Sequence, residues 1–384
     1  MRLNRNVVAI SIASFLMSFG EEMWRRFIPK YLEALGAPIR AVGAYGSIRD
    51  LVDGLYQYPG GWISDRFGRR SALLLFIGLA AGGYLLYAFA PSWHYVIAGV
   101  FFVMAWASMA NPTLFAVIAD ALPKGNRAAG FTMQALLKRV PVMIAANIGA
   151  AAIAVYGVAG GVRFSVMLTV GVAFVTMAVV ATIRLPGVPE SRETAGIGFA
   201  MIERPLRRLL ASDILIRFCE GLSDVLMVIY ATNVIGVSVA QYGVLIAIQT
   251  GVSIAAYFPA AVIADRIGKK PFVIATFICF SLFPAAVALS RSFSSLVAAF
   301  AIGGLREIGE PSRKAMIVDF AHPAFRGRTV GLYYFIRSVS IAPAAYMGSL
   351  LWTLGAATPF VAAALVGLAG TVVFTLMVEE RYAS

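Results

Sequence analysis

The chain has 384 residues, 60% hydrophobic and only 13% charged, with a mean hydropathy of +0.82. A water-soluble domain carries about a quarter charged residues, so the composition excludes one. The formal net charge of +13 raises nucleic acid or an anionic membrane surface as partners. The basic residues, however, sit in short connections between apolar runs, mixed with Asp and Glu and without alternating aromatics. That is the positive-inside pattern of a membrane protein; the expected partner is the lipid bilayer, not nucleic acid.

In chain order, apolar runs of about 20 residues recur from end to end, the length that crosses the hydrocarbon core as a helix. Backbone polar groups must be paired internally in lipid, and the ten-residue alternation of a β-barrel is missing. The expected spans are 6–34, 41–64, 71–91, 94–119, 128–156, 162–184, 208–235, 240–264, 271–290, 293–318, 329–354 and 357–378. The opening "MRLNRNVVAISIASFLMSFG" has the basic head and apolar stretch of a signal peptide but no small-residue cleavage site, so it is kept as the first span.

Span 1 carries "GEEMWRRFIPKYLE", with Glu21 and Arg25, and Glu22 and Arg26, each four apart and able to neutralise one another on a helix face. A helix starting near residue 6 places Glu21 about 22 Å along, in the outer half. Span 2 puts Arg49 and Asp53 on one face, with Asp50 one step round. Lys138 and Arg139 in span 5, and Arg337 in span 11, fall about 12–15 Å from the inner face. In span 7, Arg217, Glu220 and Asp224 run at i, i+3, i+7. Span 10, "GGLREIGEPSRKAMIVD", aligns Arg306, Glu310 and Arg313 at i, i+4, i+7, with Glu307 and Lys314 on an adjacent line. Pro311 directly after Glu310 frees a carbonyl and is expected to kink that helix.

An internal repeat organises these spans. "YPGGWISDRFGRR" at 58–70 aligns without gaps on "FPAAVIADRIGKK" at 258–270, and "NPTLFAVIAD" at 111–120 on "EPSRKAMIVD" at 310–319. Asp120, Pro123, Arg127 and Gly130 are echoed by Asp319, Pro323, Arg328 and Gly331, and Glu21 and Tyr31 by Glu220 and Tyr230. The chain is therefore read as two copies of a six-helix unit, 1–184 and 206–384, joined by a polar, proline-rich linker at 185–205. An even number of spans per copy makes the repeats parallel. The charges of span 10 break the symmetry: their first-half counterparts are Ala107, Ser108, Asn111, Leu114 and Phe115. Lys and Arg concentrate in alternate connections, which places both termini on the cytoplasmic side of the cell membrane.

The stretch "GGWISDRFGRRSALL" resembles the signature of the loop between helices 2 and 3 in the major facilitator superfamily, in Gly61, Asp65, Arg66, Gly68, Arg69 and Arg70. The second copy keeps Asp265, Arg266 and Gly268 but has Ala261 in place of the first glycine. The resemblance implies an all-α integral membrane protein of twelve transmembrane helices in two pseudo-symmetric bundles. It implies a secondary transporter whose halves rock around a central cavity. It also implies a gating role for the loop aspartates Asp65 and Asp265; Arg127, Asp120, Asp319 and Arg328 belong to the second repeated loop. The arginine that proton-coupled drug exporters carry in helix 4 is not found before Asp120, and Val140 replaces the glycine of their Gly-Pro pair, so "drug antiporter" does not carry over.

An ionisable side chain at bilayer depth costs about 2.5–3.5 kcal/mol on insertion scales, so Glu21, Arg25, Asp53, Arg139, Glu220, Arg306, Glu307, Glu310, Arg313 and Arg337 are candidates for coupling or for the substrate cavity. For each, an ion-pair lattice with a structural role is the alternative. A carboxylate that moves toward or away from an arginine changes its proton affinity, which is a route to coupling through Glu307 or Glu310. The leading reading is a proton-coupled transporter, monomeric, for a small polar or charged solute. Its rivals are a proton-independent organic-anion exchanger using Arg139, Arg217, Arg306 and Arg337, and a membrane sensor that binds without transporting. Cys219 and Cys279 offer no disulfide framework or metal spacing. No phosphate-cradling loop and no nucleophile–base set is visible. The chain is thus expected to have no cofactor, no metal and no enzymatic activity.

Overall fold

The computed structural model describes residues 5–110, 114, 127–182, 202–321 and 326–379, and every regular element among them is helical. The chain divides into two compact units: residues 1–38 with 51–193, and residues 39–50 with 194–384.

In the first unit, α1 (Arg5–Glu22) ends in a turn and a 3-10 segment (Arg25–Phe27) before α2 (Ile28–Ala34), whose first turn carries Pro29. α3 (Ile39–Phe67) contributes its residues from Leu51 onward. α4 (Arg69–Ala88) and α5 (Trp93–Met104) follow, and α5 passes into a π-turn at Ala105–Met109. α6 (Arg127–Ala181) contains one non-helical residue, Gly157. Its Val142–Ala181 stretch of 40 residues is predominantly apolar. At ~1.5 Å per residue that is about twice the hydrocarbon thickness, so it folds back on itself: Gly161 lies against the backbone of Ala152 and Ile153, an approach no larger residue permits.

In the second unit, α7 (Arg204–Asp224) breaks at residues 225–226, continues through one turn (Met227–Ile229) and ends in a π-turn (Tyr230–Val234). Then come α8 (Val239–Ile267), α9 (Lys270–Leu289), α10 (Phe293–Leu305), α11 (Glu310–Asp319), α12 (Arg326–Ile341), α13 (Ala344–Trp352) and α14 (Thr358–Met377). Ser292 caps α10 by a capping box with Ser295. α10 and α11 are the single expected span 293–318, broken at 306–309. Pro311 in the first turn of α11 has no N–H and would collide with a carbonyl one turn back in a continuous helix. Arg306, Glu310 and Arg313 therefore do not share one continuous helix face, as their spacing had suggested.

Breaks fall within a few residues of matching places in the two repeats. α1 breaks at 23–24 and α7 at 225–226; α5 becomes a π-turn at 105–109 where α10 ends before 306–309. The loop glycines correspond as well: Gly68 and Gly268 have φ of 82° and 99°, a region that L side chains rarely adopt. A tight reversal between two long helices needs such a residue, which is one physical reason for the repeated charged turn.

The first unit packs around Trp24, which lies edge-on to Tyr84 and Tyr87 at 5.6 Å each and donates from Nε1 to Thr169 Oγ1 at 3.0 Å. The second unit buries Phe277 against Phe374 and Tyr230 against Phe360. Outward-facing side chains include Leu75, Leu79, Phe101, Phe174, Leu365, Leu368 and Leu376. Five helical stretches among the described residues are long and apolar enough to cross a membrane by length and composition. The expected spans 1, 2 and 7 and the broken span 10 hold internal charges or breaks that such a criterion penalises.

Candidate functional site

The second unit holds a chain of paired charges on α7, α11 and α12 and in the break between α10 and α11, buried at its centre. Its centre is Asp213 on α7, wholly buried. Asp213 Oδ2 accepts from Arg313 Nη1 at 2.6 Å, from the Tyr333 hydroxyl at 2.8 Å and from Arg337 Nη1 at 3.4 Å. Arg313 also grips Glu310 in a two-pronged pair, Nη2 to Oε1 at 2.7 Å and Nε to Oε2 at 3.0 Å. Glu310 Oε2 accepts from Arg217 Nη2 at 3.1 Å, and Lys314 lies 3.5 Å from Oε1. Arg217 Nη1 donates to Glu220 at 2.9 Å, and Arg306 approaches Glu220 at 3.5 Å. The Arg306 guanidinium lies over the rings of Phe280 and Phe283 at 4.9 and 4.5 Å, an arrangement that stabilises a partly desolvated cation. Four arginines meet three carboxylates here. Planar guanidinia fit this role because each presents several donors in a fixed fork.

The break between α10 and α11 lies within this network. It exposes the Gly309 N–H, which donates to Thr276 Oγ1 of α9 at 2.6 Å, so a buried donor stays paired. In the same unit, Arg49 reaches Asp50 at 3.1 Å and Asp224 at 3.3 Å. The sequence spacing had offered Asp53 as the partner of Arg49. Asp53 instead accepts from Ser108 at 2.6 Å within the first unit, where the π-turn carries Ser108.

In the first unit, Glu21 and Glu22 are buried, at 6% and 4% exposure. The Tyr84 hydroxyl donates to Glu21 Oε1 at 2.6 Å. Glu22 pairs with Arg25 and stands 3.7 Å from Arg26. Arg25 thus pairs three residues back, with Glu22, where the sequence spacing pointed to Glu21; the helix has given way to a 3-10 turn there, which rotates Arg25.

Among the loop residues, Asp319 meets Lys269 at 2.6 Å, and the Arg66 guanidinium lies over the Trp62 and Phe67 rings at 5.3 and 5.9 Å. Gly61 is part of α3, and Arg69 and Arg70 open α4. Asp120 lies outside the described residues, as do the side chains of Asp65, Arg127, Lys138, Arg139, Asp265, Arg266 and Arg328. Glu307 is in the break between α10 and α11.

Sequence reasoning missed Asp213, Tyr333, Tyr84 and Ser108. For Asp213 the signal was present: it is four residues before Arg217 in the otherwise apolar run "LLASDILI". For the tyrosines there was none, because an aromatic in an apolar helix does not reveal where its hydroxyl points.

Residues 10–219 and 209–384 both match the family profile described as Major Facilitator Superfamily. The chain belongs to the major facilitator superfamily. It is a multi-pass membrane transporter of that superfamily, and its family is one of transporters, not enzymes. Among curated relatives of this superfamily member, an uncharacterised MFS-type transporter of Methanocaldococcus jannaschii is 18% identical over 360 residues, 92% of this chain and 89% of the relative. A sugar efflux transporter of Dickeya chrysanthemi is 26% identical over 215 residues, 54% of this chain and 53% of the relative. A POT family transporter in complex with 5-aminolevulinic acid superposes with a TM-score of 0.80 at 14% identity, covering 97% of this chain and 96% of that one. The nucleoside transporter NupG gives 0.79 at 12%, covering 98% and 100%. At these identities the structures establish a shared MFS fold.

Proposed function

We propose that this superfamily member is a proton-coupled secondary transporter of a small polar or charged solute, working by alternating access in the cell membrane with both termini cytoplasmic. The two halves proposed are 1–184 and 206–384, joined by the linker at 185–205. The observation that carries the coupling is the place of Glu310. It is the first residue after the break in the α10–α11 segment and is held by Arg217 of α7. Glu310 and Arg313 share α11, so their pair travels together when α11 pivots at 306–309. Such a pivot changes the Glu310–Arg217 and Asp213–Arg313 distances. A carboxylate that leaves a guanidinium loses part of the charge that favours its ionised form, and its proton affinity rises. Movement and protonation are thereby linked. Arg306 is not the partner in this scheme, because it approaches Glu220.

A second reading is favoured by the charge count. Four arginines against three carboxylates leave a cationic excess able to hold an organic anion, as a proton-independent exchanger would require. A sensor that binds without transporting is the third reading. The gating role of the loops rests in the described residues on Lys269–Asp319 and the stacked Arg66.

The test is a solute panel screened by thermal melting at pH 6 and pH 8, where a ligand at 100 times its Kd stabilises by about 2.7 kcal/mol. Flux of the stabilising solute in proteoliposomes follows. Uptake driven by a pH gradient, lost in Glu310→Gln while solute exchange persists, is the expected result. Full pH-driven uptake by Glu310→Gln would remove Glu310 from the coupling role. Exchange indifferent to pH favours the anion exchanger, and binding without flux the sensor.

A further inference from the structure

Three helices of the second unit end together at one level. Arg208 of α7 donates from Nη1 to the Met377 carbonyl at 3.3 Å, and Lys270 of α9 donates from Nζ to the Thr375 carbonyl at 3.1 Å. Both acceptors belong to the last turn of α14, whose carbonyls lack intrahelical partners and carry the negative end of the helix dipole. Leu206, Val273, Phe374 and Val378 share one buried cluster, so a packed core holds the three helix ends together. Arg204, Arg207 and Arg208 stand at the start of α7, and Lys269 and Lys270 at the start of α9. The carboxylates beside these five cations are Glu203, Asp319 and Glu379, and Asp319 is engaged by Lys269. Arg204 and Arg207 are exposed and make no ion pair among the described residues. α7 and α9 both begin at this end, so two positive dipole ends add to the charge.

An apolar stripe leads up to these cations. At about 3.6 residues per turn, Val361, Leu365, Leu368, Val372 and Leu376 line one face of α14, and all are exposed, Leu376 at 77%. Thr375 and Met377 fall on either side of Leu376, so Lys270 and Arg208 flank the head of the stripe. Long basic side chains reach up from apolar surface to the membrane interface, and basic pockets between membrane helices hold anionic headgroups. A neutral headgroup would leave the excess charge unmet, and a free phosphate would leave the stripe uncovered. We infer that the common end of α7, α9 and α14 is a binding site for an anionic phospholipid. Its phosphate lies with Arg204, Arg207 and Arg208, and its acyl chains run down the exposed face of α14. Arg208 spends one of its five donors on α14 and keeps others for the headgroup. The inference goes beyond the transport reading and requires no particular solute.

The test uses the purified full-length protein in a non-ionic detergent at constant ionic strength. Melting is followed during titration with phosphatidylglycerol, with phosphatidylcholine of the same acyl chains, and with sn-glycerol 3-phosphate. Phosphatidylglycerol is expected to raise the melting temperature to a plateau, and the other two to leave it unchanged. The double variant Arg204→Gln, Arg207→Gln is expected to weaken the apparent affinity about 25-fold, at about fivefold for each cation near a membrane surface. Leu376→Glu, which sets a carboxylate at the head of the stripe, is expected to abolish the shift. Arg291→Gln, an exposed cation in the connection before α10, should retain the shift and the affinity. Should the double variant melt lower without lipid, native mass spectrometry of Arg204→Gln alone, counting retained phosphatidylglycerol, reads the same loss. No shift with phosphatidylglycerol, an equal shift with phosphatidylcholine, or a shift with sn-glycerol 3-phosphate overturns the inference. So does parental affinity in the arginine variants. An equal loss in Arg291→Gln overturns it too, because overall charge and not this site would then be responsible.

Discussion

Arg313 Nη1 stands 2.6 Å from Asp213 Oδ2, and the two side chains are 2% and 0% exposed. Neither charge has water to fall back on. Removing one member of such a pair leaves the other short of its nearest counter-charge in a low-dielectric site, at a cost of about 3–5 kcal/mol.

Asp213→Ala is therefore expected to destabilise the second unit by about 3–5 kcal/mol. Tyr333→Phe removes one donor from the same carboxylate and is expected to cost less, about 1.5–3 kcal/mol for a hydrogen bond to a charged group. Chemical unfolding in detergent micelles gives both values. The order Asp213→Ala above Tyr333→Phe is the decisive outcome; the reverse order would show that Arg313 and Arg337 are satisfied without Asp213.

Thr276→Val is nearly isosteric but withdraws the acceptor of the Gly309 N–H, whose bond is 2.6 Å and whose surroundings are buried. An unpaired buried donor costs about 1–3 kcal/mol. A melting curve checks this, and an unchanged midpoint would mean that the break in the α10–α11 segment finds another partner.

Gly68→Ala and Gly78→Ala should have opposite signs. Neither glycine has an atom within 4 Å of an added Cβ, so packing is equal and only the backbone differs. Gly68 has φ 82° and ψ 143°, a conformation that costs other residues about 1–3 kcal/mol. Gly78 is inside α4, where alanine is favoured by about 0.5–1 kcal/mol. Paired melts of the two variants read the difference directly.

Asp319→Asn breaks the Lys269 pair, whose side chains are 53% and 36% exposed. Exposed pairs contribute about 0–1 kcal/mol, and salt weakens them further. Its melting midpoint should move little, and less in high salt. A gating role for this pair is read instead as an altered transport rate at unchanged stability.

Much of the molecule was legible before any coordinate. Apolar run length, the duplicated turn and the matching offsets point to membrane helices, two copies and a superfamily, because hydrophobic length and backbone hydrogen bonding leave a lipid-embedded chain few options. Pro311 announced the break beside Glu310, because a missing N–H is a local property. The repeat also identified Glu21 and Glu220 as equivalents. Charge partners were less legible. Spacing pointed to Arg49–Asp53 and to a shared face for Arg306 and Glu310, and it passed over Asp213.

Composition and periodicity along one chain thus specify the class of fold, the duplication and which otherwise apolar segments carry charge. Which charges meet depends on how the helices pack and where they break. A 3-10 turn handed Arg25 to Glu22, the break at 306–309 set Arg306 near Glu220, and Asp213 gathered donors from residues 313, 333 and 337. Ion pairing depends on distances of a few ångströms, often between different helices, and a change of twist at a break is enough to exchange one partner for another.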